Sequence, residues 1–365
     1  MTLPERPGAR HEGEMVTLPA SLPSVSVIIP CRNERHYIGP CLDSILAQDY
    51  PRERLLEILV VDGHSDDGTR AIVDGYAARH PIIRLVDNPR TIPPAALNIG
   101  IQESKSDIIV RVDAHATYPP AYVSRLVAAQ IVHGADNVGG AIATVPADDS
   151  PTARAIATAL SHRFGVGDSY FRIGTEEPRW VDTIAFFCCR REVFERVGGF
   201  DEDLARGEDC EFNFRLRQRG GRVLLVPGAE ARYYARRTLG QLARMLYQYG
   251  YFKALLTGKL RRTTSWRQLV PPGFVAALTG SSILAFWIPA ARLLFGGLVG
   301  AYAIAVVLSA VVAGRDRGLA VTLRLPATFA VMHFSYGIGF LKSVFDAVRG
   351  ARQQGPPGGA VRLSR

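Results

Sequence analysis

From about residue 24 to 130, short apolar runs alternate with stretches of helical spacing, the pattern of a parallel, doubly wound sheet. Runs of strand length occur at 25–29, 57–61, 82–86 and 108–112. Helical spacing follows at 38–46, 70–80, 95–104 and 119–133, with Pro119 opening the last. Asp66-Asp67-Gly68-Thr69 supplies capping chemistry for the second of these helices. Between about 135 and 180 the chain becomes rich in Gly, Asp and Thr and loses its periodicity, so strands and loops around a substrate cleft are expected there. Helices are expected again at 190–197 and 208–219, each ended by a glycine pair, and a last strand at 223–226.

Beyond Pro227 the pattern changes. Leu239, Leu242, Leu246, Tyr249 and Leu256 recur at helical steps beside Arg237, Arg244, Lys253 and Lys259. That arrangement predicts an amphipathic helix, lying on a membrane surface or packed against a domain. Three long apolar stretches follow. Those at 270–288 and 293–313 have the length of membrane spans. The third, 325–348, is interrupted by His333, Lys342 and Asp346. The excess of positive charge on cytoplasmic loops would put Arg315, Arg317 and Arg324 in the cytoplasm and the turn at Arg292 outside. A third span would then carry Arg349, Arg352, Arg362 and Arg365 outside, against that rule, which leaves a re-entrant or interfacial segment as the alternative.

Charge sharpens this division. Of 365 residues, 1–227 carry 25 Lys/Arg against 31 Asp/Glu, whereas 228–365 carry 18 against 3. The basic excess thus sits with the apolar stretches and points to an anionic membrane surface. No zinc-finger spacing or helix-turn-helix pattern supports nucleic acid as a partner. Five cysteines without a C-x-x-C pair fit a reducing compartment. The first 22 residues lack the apolar core of a signal peptide and are expected to be a disordered lead-in. The expected organisation is a tail (1–23), one catalytic α/β domain (24–230), basic amphipathic helices (231–268), a membrane region of two to three helices (269–348) and a basic tail (349–365).

The chemistry gathers where strands end. The run at 25–29 meets Pro30, that at 57–61 meets Asp62, and that at 108–112 meets Asp113 with His115 two positions on. Ligands of open α/β sheets sit at the carboxyl ends of strands, and Asp-x-His offers metal-ligating groups. A dinucleotide-dependent oxidoreductase is disfavoured, because Cys31-Arg-Asn-Glu-Arg stands where a G-x-G-x-x-G loop would be.

Four segments, in order, give the chain a family likeness: Val25-Ser-Val-Ile-Ile-Pro-Cys-Arg-Asn-Glu34, Val60-Val-Asp-Gly-His-Ser-Asp-Asp-Gly-Thr69, Arg111-Val-Asp-Ala-His115, and Gly198-Gly-Phe-Asp201 with Gly207-Glu-Asp209. Together they resemble family 2 inverting glycosyltransferases of the A-type fold, in particular membrane-bound succinoglycan-type glucosyltransferases of bacterial polysaccharide synthesis. The resemblance implies a Rossmann-like nucleotide-sugar-binding domain and a cytoplasm-facing, multi-pass enzyme of the inner (plasma) membrane. Its implied partners are a UDP-sugar, with glucose as the sugar, a polyprenyl-diphosphate-linked acceptor and membrane lipid. Transfer to a polyprenyl monophosphate, as in dolichol-phosphate sugar synthases, is the alternative. By the same resemblance Pro30, Arg32 and Glu34 belong to the nucleotide cradle, and Asp62 accepts a hydrogen bond from the base unless it only forms the turn before Gly63. Asp113 and His115 occupy the family's Asp-x-Asp position. A divalent Mn²⁺ or Mg²⁺ there would offset charge developing on the diphosphate, and an imidazole ligand would favour Mn²⁺. His115 would otherwise hydrogen-bond its own loop. Asp209 matches the catalytic base, at a helix amino terminus that favours its ionised form, and Glu208 orients or contacts the acceptor. Asp201 and Asp203 are rivals for the base. The Gln-x-x-Arg-Trp of processive members is missing, since Gln248-Tyr-Gly-Tyr-Phe-Lys253 stands there, which implies addition of a single sugar.

Overall fold

The structure, a computed structural model, describes residues 22–263 and 265–350. Nearly all of the expected N-terminal tail and of the basic C-terminal tail lies outside the described residues. Nine strands form one mixed sheet: β1 (Val25–Cys31), β2 (Leu55–Asp62), β3 (Ile83–Asp87), β4 (Ile108–Arg111), β5 (Ala116–Thr117), β6 (Asn137–Val145), β7 (Arg179–Trp180), β8 (Cys188–Arg190) and β9 (Val223–Tyr234). Their order is β3-β2-β1-β4-β8-β6-β9-β5, with β7 paired to β9. β1, β2, β3 and β4 are mutually parallel, as the alternation with helices requires. β8 is inserted antiparallel between β4 and β6.

One apolar core lies on each face of the sheet. Ile29, Val60 and Val110 pack with Leu42 and Leu126 on one side, and Ile28, Leu59 and Ile109 with Leu97 and Phe212 on the other. Strands buried on both faces explain the unbroken Val/Ile/Leu runs. Where β6 crosses β9, a Cβ at Gly140 would lie 1.6 Å from the Ala229 carbonyl oxygen, so only glycine admits that approach.

The stretch 135–180 holds a helix that its composition did not announce, Pro151–Leu160, with Ser150 accepting a hydrogen bond from the Ala153 N–H. Ile156 and Leu160 from this helix pack against Leu242, Met245, Phe329 and Met332, joining the sheet domain to the C-terminal helices.

Those helices correct the lipid-facing expectation. Leu239–Leu260, opened by a Thr238–Gln241 capping box, turns its apolar face onto Leu325–Val348 rather than outward. A Cβ at Gly250 would fall 2.0 Å from the Tyr336 carbonyl oxygen, and one at Gly339 2.1 Å from that of Tyr247, so the two backbones touch. The third apolar stretch is therefore a packing helix along most of its length, with Leu325, Phe329, Met332 and Phe340 buried. Of the two expected spans only one has the required length. Val270–Leu284 has 15 residues, about 23 Å, short of a hydrocarbon core of about 30 Å. Pro289–Gly314, with 26 residues, is the one helix among the described residues long and apolar enough to cross a bilayer, and most of it is uncovered.

Candidate active site

The parallel register sets Cys31 beside Asp62, and Asp62 beside Asp87, along one rim. Against this rim opens a cleft of about 1960 Å³ that continues to the C-terminal helices. Pro30, Arg32, Glu34, Asp113, His115, Glu208 and Asp209 all line it. The loops after β1, β2 and β3 each hold a non-glycine residue in the left-handed region, Asn33 (φ 56°), His64 (φ 55°) and Thr91 (φ 57°). They are cross-tied: the Asn33 N–H donates to Ser65 Oγ (2.7 Å), the Asp66 N–H to Asn33 Oδ1 (2.9 Å) and Arg32 to the Thr91 carbonyl (3.4 Å). The backbone at this end is thus held in a costly conformation by its own hydrogen bonds.

Asp62 has no accessible surface and does not line the cleft. Its carboxylate accepts from the Ser65 N–H (2.9 Å), the Ser65 hydroxyl and Arg70 (2.9 Å), and Arg70 also reaches Asp87 (2.8 Å). With these contacts the carboxylate holds the turn that follows. Asp67 similarly accepts the Thr69 N–H (3.0 Å) at the start of the next helix.

A residue not singled out from the sequence stands at the end of the neighbouring strand. Asn88, 2% exposed, follows β3 and lines the cleft. Its Nδ2 donates to the Ile92 carbonyl (3.0 Å), which fixes the amide orientation because a carbonyl only accepts. Asn88 Oδ1 is buried without a hydrogen-bond donor among the described residues. The signal was legible, since the run at 82–86 ends on the same rim as the other parallel strands.

The centre of the cleft is an ion network around Arg111, 7% exposed at the end of β4. Its Nη2 lies 3.3 Å from Asp113 Oδ1 and its Nη1 3.1 Å from Glu208 Oε1. Burial opposes the guanidinium charge, but Asp113, Glu208 and Asp209 outweigh it and hold the pKa above the ordinary arginine value. Burial pushes the Glu208 carboxyl up, against the pull of Arg111. His115 Nδ1 is 3.6 Å from Glu34 Oε1, and its ring meets Tyr233 edge-on at 5.1 Å. Among the described residues no three of His, Cys, Asp and Glu converge on a point. A divalent ion on Asp113, alone or with His115, would therefore complete its shell with water and ligand oxygens, which suits Mg²⁺ and Mn²⁺.

Asp209 stands at the first turn of helix Glu208–Gln218, entered through Gly207 in the left-handed conformation (φ 82°). Its rivals are occupied: Lys259 pairs with Asp201 and with Asp203 (3.3 Å). Arg90 and Asn98 (2.8 Å) hold Glu202 between them, so the loop ahead of Asp209 is tied to the segment that follows β3. Of the basic residues expected on a lipid-facing surface, Lys253 turns into the cleft, while Arg237, paired with Asp148 (2.6 Å), and Arg244 stay exposed at its edge. At the far end His333 donates from Nε2 to the Phe164 carbonyl (2.8 Å) and accepts at Nδ1 from the Tyr302 hydroxyl (3.0 Å).

Residues 26–198 match the model of glycosyl transferase family 2. The succinoglycan biosynthesis protein ExoA of Rhizobium meliloti is 33% identical over 261 residues, 71% of this chain and 77% of its own length. A dolichyl N-acetyl-α-D-glucosaminyl phosphate 3-β-D-2,3-diacetamido-2,3-dideoxy-β-D-glucuronosyltransferase of Methanococcus voltae is 28% identical over 263 residues, 70% of this chain and 79% of its own. Among solved structures, the mannosyltransferase PcManGT of Pyrobaculum calidifontis, in complex with GDP-mannose and Mn²⁺, superposes with a TM-score of 0.57 at 22% identity, covering 90% of this chain and 89% of that one.

Proposed function

The chain belongs to glycosyl transferase family 2, and from that membership we propose that it moves a hexose, glucose in the leading reading, from a UDP-sugar to a polyprenyl-diphosphate-linked saccharide, with inversion and with a divalent metal. The observation that carries this reading is the convergence of Asp113 and Asp209 on one cleft, with Arg111 and Glu208 bridging the space between them. Asp113 holds the donor side. Asp209 takes the proton of the acceptor hydroxyl as that oxygen attacks the anomeric carbon from behind, and the diphosphate leaves. When bound at Asp113 and His115, Mn²⁺ or Mg²⁺ supplies positive charge against the growing charge of the leaving diphosphate. Arg111 keeps the Asp113 and Glu208 carboxylates in place, and Pro30, Arg32 and Glu34 flank the nucleotide.

Asn88 joins Asp62 in reading the base from the end of the neighbouring strand. Its free acceptor suits a ring N–H such as that of uracil. Asn88→Leu should weaken UDP binding by about tenfold or more, the cost of a lost buried hydrogen bond. An unchanged dissociation constant would remove Asn88 from base recognition.

The membrane assignment rests on Pro289–Gly314, where Leu293 (80%) is open, and on the apolar tip before it, where Phe286 (78%) and Trp287 (73%) are open. The opposite end of this helix lies against the catalytic domain, with Arg154 donating to the Arg317 carbonyl (3.2 Å). That placement agrees with Arg315, Arg317 and Arg324 on the catalytic side of an inner membrane.

The decisive experiment uses membranes containing the protein, labelled UDP-, GDP- and dTDP-sugars, and a lipid extract. Label entering the organic phase from one donor, with Mn²⁺ or Mg²⁺ and not with EDTA, is expected. Normal UDP binding with no transfer from any donor to any lipid fraction would count against the proposed acceptor. In the same preparation Asp113→Ala should abolish the stimulation of UDP binding by Mn²⁺, and a stimulation that survives would remove Asp113 from the metal.

A further inference from the structure

The turn 198–200 is wedged between two elements that serve different substrates. On one side it is seated on helix Glu208–Gln218, whose first turn carries Asp209. Phe200, 4% exposed, stacks on Phe212 at 4.8 Å, and Arg215 donates to the Val197 and Gly199 carbonyls, each at 2.7 Å. On the other side it is seated on Asn98, in helix Pro93–Glu103. Asn98 Oδ1 accepts the Phe200 N–H (2.7 Å), which sets Nδ2 to donate to the Phe200 carbonyl (2.9 Å) and to Glu202 (2.8 Å). A Cβ at Gly199 would fall 2.5 Å from Asn98 Oδ1, so glycine is what lets the turn come this close.

The segment that leads to Asn98 belongs to the nucleotide pocket. Asn88, Arg90, Thr91 and Ile92 line the cleft there, and the Thr91 carbonyl takes Arg32 from the loop after β1 (3.4 Å). Arg90 then reaches back to Glu202. Asn98, Phe200 and Glu202 stand behind this lining rather than in it. Burial alone does not ask for an amide here, because Ala96 and Leu97 of the same helix already join Phe200 and Phe212 in one apolar core. What three hydrogen bonds from one amide add is a fixed distance and a fixed angle between the turn and the helix.

We propose that Asn98 is a positioning residue for the base: through Phe200 and Glu202 it locks helix Glu208–Gln218 to the segment that receives the nucleotide, so that a filled donor pocket holds Asp209 in the geometry for transfer. This rests on Asp209 as the base in the reading given above and deepens it, because it states how the donor regulates the group that activates the acceptor. Asn98 acts on the reaction only through Asp209. Its loss should therefore appear in kcat and leave the donor KM in place.

The test uses the full chain in detergent and two readouts. Asn98→Asp keeps the bond to the Phe200 N–H and turns a carboxylate towards the Phe200 carbonyl and Glu202. It should lower kcat about thirtyfold, the scale on which a misplacement of about 1 Å acts, with donor KM and UDP affinity within about twofold. Adding Glu202→Gln to Asn98→Asp restores a donor–acceptor pair with the roles exchanged, and should recover most of the loss. In an Asp209→Asn background Asn98→Asp should cost less than about twofold further, since the base it positions is already gone. Glu202→Gln alone, which leaves all the Phe200 bonds in place, should lower kcat about fivefold and serves if Asn98→Asp does not fold. The second readout needs no transfer. UDP with Mn²⁺ should slow amide hydrogen exchange across 199–212 in the wild type, and the slowing should vanish in Asn98→Asp while UDP still binds. Equal losses of UDP affinity and kcat, a full additional loss in the Asp209→Asn background, or exchange at 199–212 that ignores UDP in the wild type would each overturn the proposal. Exchange that answers UDP only through Asn98, in a protein that transfers no sugar, would uphold the link while the transfer reading fell.

Discussion

Asp209→Asn is expected to lower turnover about a thousandfold while leaving UDP affinity within about twofold, because a positioned base contributes roughly 10²–10⁴ in rate and little to donor binding. Asparagine keeps the shape and one acceptor oxygen of aspartate but takes up no proton. Asp209 stands on the first turn of helix Glu208–Gln218, where backbone N–H groups lack intrahelical partners, and its Oδ1 accepts the Cys210 N–H (2.8 Å). Asp201 and Asp203 do not substitute, since Lys259 holds both. The single-turnover rate of label transfer and the UDP dissociation constant, measured on one preparation, decide the matter. A variant that keeps a tenth or more of the rate would move the base to Glu208, the neighbouring carboxyl in the same cleft.

Much of the donor half was readable from spacing alone, and the reason is physical. A parallel strand buried on both faces is an apolar run, and its carboxyl end is marked by the first polar residue. That rule located Asp62 and Asp113 on one rim, and it would have located Asn88. It could not say which side chains turn towards the cleft. Asp62 and Asn88 end adjacent strands, yet Ser65 and Arg70 occupy the first and leave an acceptor open on the second. Those partners follow from turn geometry, which no period encodes. Arg111 was read only as part of the run 108–112, because spacing does not show what a charge inside a strand pairs with, whereas here it is the buried centre of the ion network. The C-terminal helices show the limit of amphipathicity. Leu242, Leu246 and Leu256 define an apolar face equally well for lipid or for protein. What chooses protein is a close fit of backbones at Gly250 and Gly339, visible only when both helices are seen together.

Arg111→Met is expected to be the most destabilising single change in the site, by about 3–5 kcal/mol, the usual cost of removing one partner from a buried ion pair. Methionine fills much of the space, so the loss is electrostatic. Asp113 and Glu208 would face each other across the centre of the cleft without the cation between them. Glu208 is the group that yields. Its carboxyl is buried and already shifted upward with Arg111 present, and without Arg111 it rises further. A carboxyl whose folded pKa stands above its unfolded value contributes stability below the unfolded value and loses it as pH rises through the folded one. The deficit of Arg111→Met should therefore be largest at alkaline pH and shrink as pH falls towards the ordinary glutamate range. Adding Glu208→Gln should recover most of it at pH 8, because the glutamine has no charge to bury. Denaturant unfolding of the wild type, the single variant and the double variant at pH 5.5 and pH 8 reads all three expectations. A pH-independent deficit, or no recovery in the double variant, would mean that Arg111 acts through packing. The Asp113–Arg111–Glu208 chain would then lose its role as the link between the donor and acceptor sides.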